Sequence, residues 1–265
     1  MKHRKTLIII LFTLLAQWTL AAETTINGVT YFLSKDLTAE VMASTRKGKL
    51  AIPQKINAKG KTYRVTSIGD LAFRGNTGLT EVIIPDGVES IGISVFEGCT
   101  ALTSVQIPKS VVSIGSWCFQ GCKSLAKIEL PKRMSYLGVA AFHNCTSLQT
   151  IAIPRGITSI GESTFEGCTR LTKVVFPKGL KDIGIAAFSG CSALLSVELP
   201  NTVTTIDDDA FKFCTSLQSL TMSTAIKSIG EMAFFWCRLK RVTLPASLKN
   251  IGEYAFDDDV KIDRK

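Results

Sequence analysis

Residues 102–122 read LTSVQIPKSVVSIGSWCFQGC, and the spacing inside this stretch decides the fold. Leu102, Val105 and Ile107 are apolar, and the last two alternate with the polar Gln106, as in a short strand with one buried face. Pro108 lacks a backbone donor and ends that strand. Val111 and Ile114 follow, and Gly115 is expected at a tight turn, where a positive φ suits glycine. From Ser116 to Phe119 the spacing predicts one helical or 3-10 turn, closed by Gly121 ahead of Cys122.

Working outward, the same stretch returns every 23 residues. Proline recurs at Pro85, Pro108, Pro131, Pro154, Pro177 and Pro200, and phenylalanine from Phe73 and Phe96 through Phe234. Cysteine keeps the interval from Cys99 to Cys237. One residue is missing after Cys237, so Pro245, Ile251 and Phe256 arrive one place early. A fixed period of this length is the signature of a stacked repeat, because one coil cannot bury its apolar side alone. The expected architecture is a leucine-rich-repeat type solenoid of about nine coils over residues 65–256, with short parallel strands. At a strand spacing of ~4.8 Å it would be roughly 40 Å long.

The pattern L-x-x-V-x-I-P-x-x-V-x-x-I-G-x-x-A-F-x-G-C resembles the BspA-like class of leucine-rich repeats. Leu102–Cys122 and Leu148–Cys168 carry it most fully. Departures fall toward the ends: Asn76 stands for the ladder cysteine, Asp207 for the turn glycine and Ser223 for the proline. The resemblance implies a secreted or surface-associated bacterial recognition protein, often an adhesin that attaches to host matrix proteins or to other cells.

Residues 23–64 do not keep the period and read as a small N-terminal β cap. Ile26 to Leu33, Ala39 to Ala43 and Lys49 to Ile52 are expected strands, with turns at Asn27-Gly28, Ser34 to Asp36 and Arg46 to Gly48. Lys59-Gly60-Lys61 is the expected tip of a hairpin before Tyr63 to Val65. At the other end, residues 257–265 read as a charged tail.

Residues 1–22 have the layout of a signal peptide: Lys2, Arg4 and Lys5, then the apolar run Leu7 to Leu15, then small residues. Cleavage is expected after Ala21 or Ala22, which gives a secreted, periplasmic or cell-surface protein without a membrane span in its mature chain. The net charge of +9 includes those three leader cations; the remaining excess is too small to point to nucleic acid.

Chemistry is sparse. The only histidines are His3 and His143, so a nucleophile–base pair would have to use His143. That residue shares its repeat position with Arg74, Glu97, Gln120, Glu166 and Ser189, which marks a variable surface site. The cysteines fall one per coil, apart from Cys118, and lack the close pairs of a zinc site. In-register side chains point in parallel, so a column of buried thiols is expected in place of disulfides. Asp207–Asp209 and Asp257–Asp259 lack calcium-loop spacing and read as solvated corners. The chain is read as a non-enzyme, with no catalytic, cofactor or metal residues.

Binding is then expected at the variable outward positions of the scaffold. On the strands these run from Thr80, Glu81 and Ile83 to Lys240, Arg241 and Thr243, a mixed face rich in hydroxyls and amides. The residue after each proline is less random: Lys109, Lys132, Arg155 and Lys178 put four cations in one column, and Arg133 adds a fifth. These five are the candidate ligand-binding residues, either a track for an anionic glycan or a solvated corner offset by Glu89, Asp182 and Glu198. Phe213, Phe235 and Trp236 replace glycine or polar residues near the end and read as a patch or a cap. The leading expectation is recognition of an extracellular or host protein; the alternatives are the anionic glycan and a structural spacer or assembly subunit.

Overall fold

The computed structural model describes residues 22–265. The expected signal segment lies outside the described residues except for Ala22. Asn27 and Gly28, both at positive φ, reverse the chain between β1 (Ala22–Ile26) and β2 (Val29–Leu33), an antiparallel hairpin. Strand β3 (Thr38–Ser44) pairs antiparallel with β2. After β4 (Gly48–Ala51), a second hairpin joins β5 (Lys55–Ala58) to β6 (Lys61–Ile68) across Lys59-Gly60.

This segment is grafted onto the stack. The last residues of β6 lie parallel to β3, with Ile68 opposite Val41. Strand β4 lies parallel to β7 (Leu79–Ile83). The cap therefore supplies the first strand of both faces of the solenoid and buries Tyr31, Val41 and Leu50 against the first full coil.

Beyond it the chain winds through about ten turns with strands on two faces, although the coil of Lys127 has only a bridge on its proline side. The proline-side face contains β7, β9 (Ser104–Gln106), β12 (Thr150–Ala152), β14 (Lys173–Val175), β16 (Ser196–Glu198), β18 (Ser219–Thr221), β20 (Arg241–Leu244) and β22 (Lys261–Arg264). The opposite face has two-residue strands: β8 (Ser90–Ile91), β10 (Ser113–Ile114), β11 (Tyr136–Leu137), β13 (Ser159–Ile160), β15 (Asp182–Ile183), β17 (Thr205–Ile206), β19 (Ser228–Ile229) and β21 (Asn250–Ile251). Pairs between successive coils are parallel and, up to β19, keep the repeat register, for example Val82 opposite Val105 and Ile183 opposite Ile206. The charged stretch 257–265 enters this ladder, since β22 pairs with β20.

Between the faces runs the core, a set of columns one coil apart. Nine phenylalanines from Phe73 to Phe256 stack with ring centroids 5.1 to 5.4 Å apart and planes within 12° of parallel. Such offset stacks add roughly 0.5–1.5 kcal/mol per pair beyond area burial. Beside them each cysteine of the 23-residue column from Cys99 to Cys237, Cys118 lying outside that column, points its Sγ at a phenylalanine carbonyl of the coil before, at 3.1 to 3.3 Å. All eight cysteines are free, and the thiols serve as weak donors within the core.

The helical or 3-10 turn expected from Ser116 to Phe119 is not formed. Trp117 sits at φ 55, in the left-handed region that ends any right-handed helix. The amides of Trp117, Phe119 and Gly121 donate to Val139, Ala141 and His143 of the next coil at 2.8–2.9 Å. A helix would have used those amides internally; here they tie coil to coil. Every turn repeats the arrangement, with positive φ at Leu71, Ser94, Ala140 and their equivalents through Tyr254.

Gly115 is also used differently from the expectation. Its φ is not positive; a Cβ there would lie 2.5 Å from the Gly92 carbonyl oxygen. Close approach of two backbones, not torsional freedom, demands glycine at that corner.

Candidate functional site

Each proline stops a proline-side strand, and the chain turns outward before it crosses to the opposite face. Lys109, Lys132, Arg155 and Lys178 occupy the first corner position and Arg133 the second, and all five are exposed. Among the described residues none of them joins an ion pair. Glu89, Asp182 and Glu198 are not paired with them, so the stripe keeps its positive field. One strand step of ~4.8 Å separates successive cations, within a Debye length at physiological salt.

The corner is not uniform along the rod. Ser110 and Thr202 hold it by donating from their hydroxyls to the Val88 and Leu180 carbonyls of the preceding coil at 2.7 and 2.6 Å. The equivalent places in the intervening coils are Arg133, Gly156 and Gly179, which have no hydroxyl to give. Within this clamp-free stretch the two faces part at the same step. On the proline side, Lys127 and Thr150 make an isolated bridge where a full strand pair is expected. On the opposite face, β11 ends one sheet and β13 begins the next.

Two other distances mark the same seam. The Phe142–Phe165 spacing, 5.4 Å, is the widest in its column. A Cβ on Gly161 would find its nearest neighbour at 3.5 Å, whereas one on Gly138 would meet the Ser116 amide at 2.2 Å. On the proline side the seam opens into a groove of about 610 Å³ lined by Ile128, Leu130 and Ile153, with Lys132 and Arg155 on its rim. On the far side a smaller hollow of about 270 Å³ lies beside Tyr136 and Val139. Lys127 and Glu129, paired with each other, also line the groove, which leaves the unpaired Lys132 and Arg155 beside its apolar side chains, suited to an extended ligand with an acidic group.

The strand face reads as expected from sequence: hydroxyls and amides, with Val175, Leu195 and, on β22, Ile262 as its exposed large apolar side chains. His143 sits on the turn edge with Nδ1 3.6 Å from Glu166 of the next coil. The Arg74–Glu97 pair repeats this lateral contact at 2.9 Å, so His143 occupies a column of lateral surface contacts. Burial pushes the Cys99 thiol up to about 11 and the Cys168 thiol to about 12, which leaves them unreactive at neutral pH. Among the described residues no three His, Cys, Asp or Glu side chains gather as a metal site. No described helix is long and apolar enough to cross a membrane.

Sequence spacing found the stripe and missed the seam. Its signal was present in the loss of Ser or Thr two places after the proline in three consecutive coils. Also missed were exposed Leu71, Ile93, Trp117 and Tyr136, which lie at positions where neighbouring coils are small or polar.

Residues 66–195 and 135–263 match the family described as BspA type leucine rich repeat region, in six copies. A crystal structure of a leucine-rich repeat protein from Bacteroides ovatus is similar, with 31% identity and a TM-score of 0.82 over 91% of this chain and 67% of that one. A leucine rich cell surface protein from Faecalibacterium prausnitzii shares the fold at 23% identity and TM-score 0.59, covering 91% and 86%. A leucine-rich repeat protein of T. pallidum aligns over 65% of this chain and 91% of its own, with 25% identity and a TM-score of 0.51. No curated protein matches the sequence significantly.

Proposed function

Because the chain belongs to the BspA-type leucine-rich-repeat family, we propose that it is a bacterial recognition protein, exported and held at or released from the cell surface, that binds an extracellular or host protein in the manner of an adhesin. One observation carries this reading. Inward positions repeat coil after coil while the outward ones differ, which is how a rigid scaffold displays a specific surface. The Faecalibacterium prausnitzii relative is a leucine rich cell surface protein, which supports the location.

Retention of this protein on immobilised extracellular matrix proteins, measured beside albumin, tests the reading. Saturable binding to a matrix protein is the expected outcome; equal retention on albumin and matrix proteins would reject it.

A second reading, capture of an anionic glycan, is favoured by the unpaired stripe and the groove under Lys132 and Arg155. Reversal of Lys109, Lys132, Arg155 and Lys178 to glutamate is expected to leave the far-ultraviolet circular dichroism unchanged and to abolish retention on heparin. Unchanged heparin retention by the reversed protein would remove the track and leave protein recognition standing.

A further inference from the structure

Each turn edge displays four outward positions, and in the last three coils their chemistry changes. In the six preceding coils those positions hold a single aromatic ring, Trp117. In the last three they hold Phe213, Phe235, Trp236 and Tyr254, together with Asp208, Asp209, Glu231, Glu253, Asp257 and Asp258 and only one base, Lys212. The rings form one terrace. Phe213 and Trp236 lie 5.8 Å apart between centroids, and Phe235 lies 6.2 Å from both Trp236 and Tyr254, all tilted by 59–69°. Trp236 and Tyr254 remain 58% and 57% exposed, so burial does not account for them.

Three of the four rings stand at positive φ: Tyr254, at φ 53, shares this with its whole column, whereas the other two occupy a column of glycine and asparagine. Phe213 and Trp236 stand at φ 59 and 60. The equivalent positions in earlier coils are Gly75, Gly98, Gly121, Asn144, Gly167 and Gly190, all at positive φ. Bulky side chains resist this region, which glycine and asparagine tolerate. Strained, exposed aromatic residues at a glycine position point to use, since packing does not repay the strain.

The terrace already holds one cation. Lys212 Nζ sits 5.5 Å from the Phe213 centroid and 2.9 Å from Asp209 Oδ1, an ion pair whose geometry falls short of a hydrogen bond. Ring and carboxylate thus share an ammonium group inside the molecule. Around it, Asp208 and Asp257 accept from the Glu231 and Trp236 amides at 2.7 and 3.0 Å. Glu231, Glu253 and Asp258 are exposed, and among the described residues none joins an ion pair.

We propose that this acidic aromatic terrace is a docking surface for an arginine- or lysine-rich peptide segment of a partner protein. Guanidinium or ammonium groups stack on the ring faces while the carboxylates neutralise them. Charge complementarity excludes the anionic ligands suited to the proline corner, so the two surfaces take opposite partners. The terrace draws its purpose from the recognition reading but its chemistry from its own residues.

Fluorescence anisotropy of labelled octa-arginine titrated with the full chain tests it. The double variant Phe213→Gly/Trp236→Gly restores the glycine of the column and is expected to fold with an unchanged or higher Tm. Its affinity for octa-arginine is expected to fall at least tenfold, and Glu231→Gln/Glu253→Gln to weaken binding and its salt dependence. The four-site stripe reversal is expected not to weaken it. Equal octa-arginine affinity in the glycine variant, or none in the wild type, would overturn the proposal. So would equally tight binding of a neutral oligosaccharide at the same rings, or self-association that the glycine variant abolishes. No octa-arginine binding by the wild type, with its matrix-protein retention intact, would sink the terrace and leave the recognition role untouched.

Discussion

The turn edge and the proline-side strand face belong to the same coils, yet one is continuous and the other is broken. Along the turn edge, amide-to-carbonyl bonds and stacked rings pass from coil to coil across every step, with thiols beside them as far as Cys237, including the seam at Phe142–Phe165. On the proline side the sheet falls into separate groups of three or two strands. Its interruptions lie beside Leu130, Phe176 and Met222, where other coils have Ile84, Ile107 or Ile153 before the proline position. Cohesion therefore resides in the turn edge, and the strand face is free to vary in sequence and spacing.

Alkali should break the continuous side first and with the largest effect. Burial raises the thiols from an ordinary 9.0 to about 11 at Cys99 and about 12 at Cys168 and Cys237. The neutral thiol is the form the fold prefers, so this stability is whole below pH 9 and is lost as pH climbs toward 11–12. A two-unit rise corresponds to about 3 kcal/mol per thiol once fully ionised. Thermal melts are expected to be level from pH 7 to 9 and to fall steeply above pH 10; a level Tm up to pH 11 would contradict the role given to the thiols.

The next largest effect is expected from Phe142→Ala, which removes a ring that is fully buried and stacked on both sides. A loss of about 3–5 kcal/mol is expected from cavity formation, read by urea denaturation. Gln149→Ala, on the exposed strand face of the following coil, serves as the contrast and should change stability by less than about 0.5 kcal/mol. Similar losses in the two variants would erase the distinction between the edges.

Two corner glycines sharpen the comparison at smaller scale. A Cβ on Gly156 would stand 2.3 Å from the Met134 carbonyl oxygen, whereas one on Gly179 meets nothing within 4 Å. Neither has a positive φ. Gly156→Ala is expected to destabilise by about 1–3 kcal/mol through forced separation of the coils. Gly179→Ala is expected to stabilise by about 0.4–1 kcal/mol, by restricting the unfolded chain.

What the sequence disclosed follows from what the physics constrains. Phenylalanine, cysteine and proline columns were legible because each inward side chain must match the coils above and below. The turn was misread because Ser116 to Phe119 carries spacing compatible with a helix while its left-handed residue is Trp117, not glycine. Leu71, Ala140 and Met232 occupy the same conformation in other coils and give no compositional signal either. The basic stripe was visible because one column contains it. The terrace was only partly visible, since its rings and carboxylates come from several columns and three coils.

The one-residue shortening after Cys237 carries a consequence for how such a chain changes over generations. Arg238 donates its amide to the Leu217 carbonyl at 2.9 Å, the short connection closes there, and Phe256 rejoins the aromatic column at 5.1 Å. Errors of one residue are thus absorbed on a loop, while whole repeats touch only their neighbours. Duplication or loss of a complete genetic unit leaves every remaining contact intact, so length can drift in quantised steps and each new copy starts with an unassigned exterior.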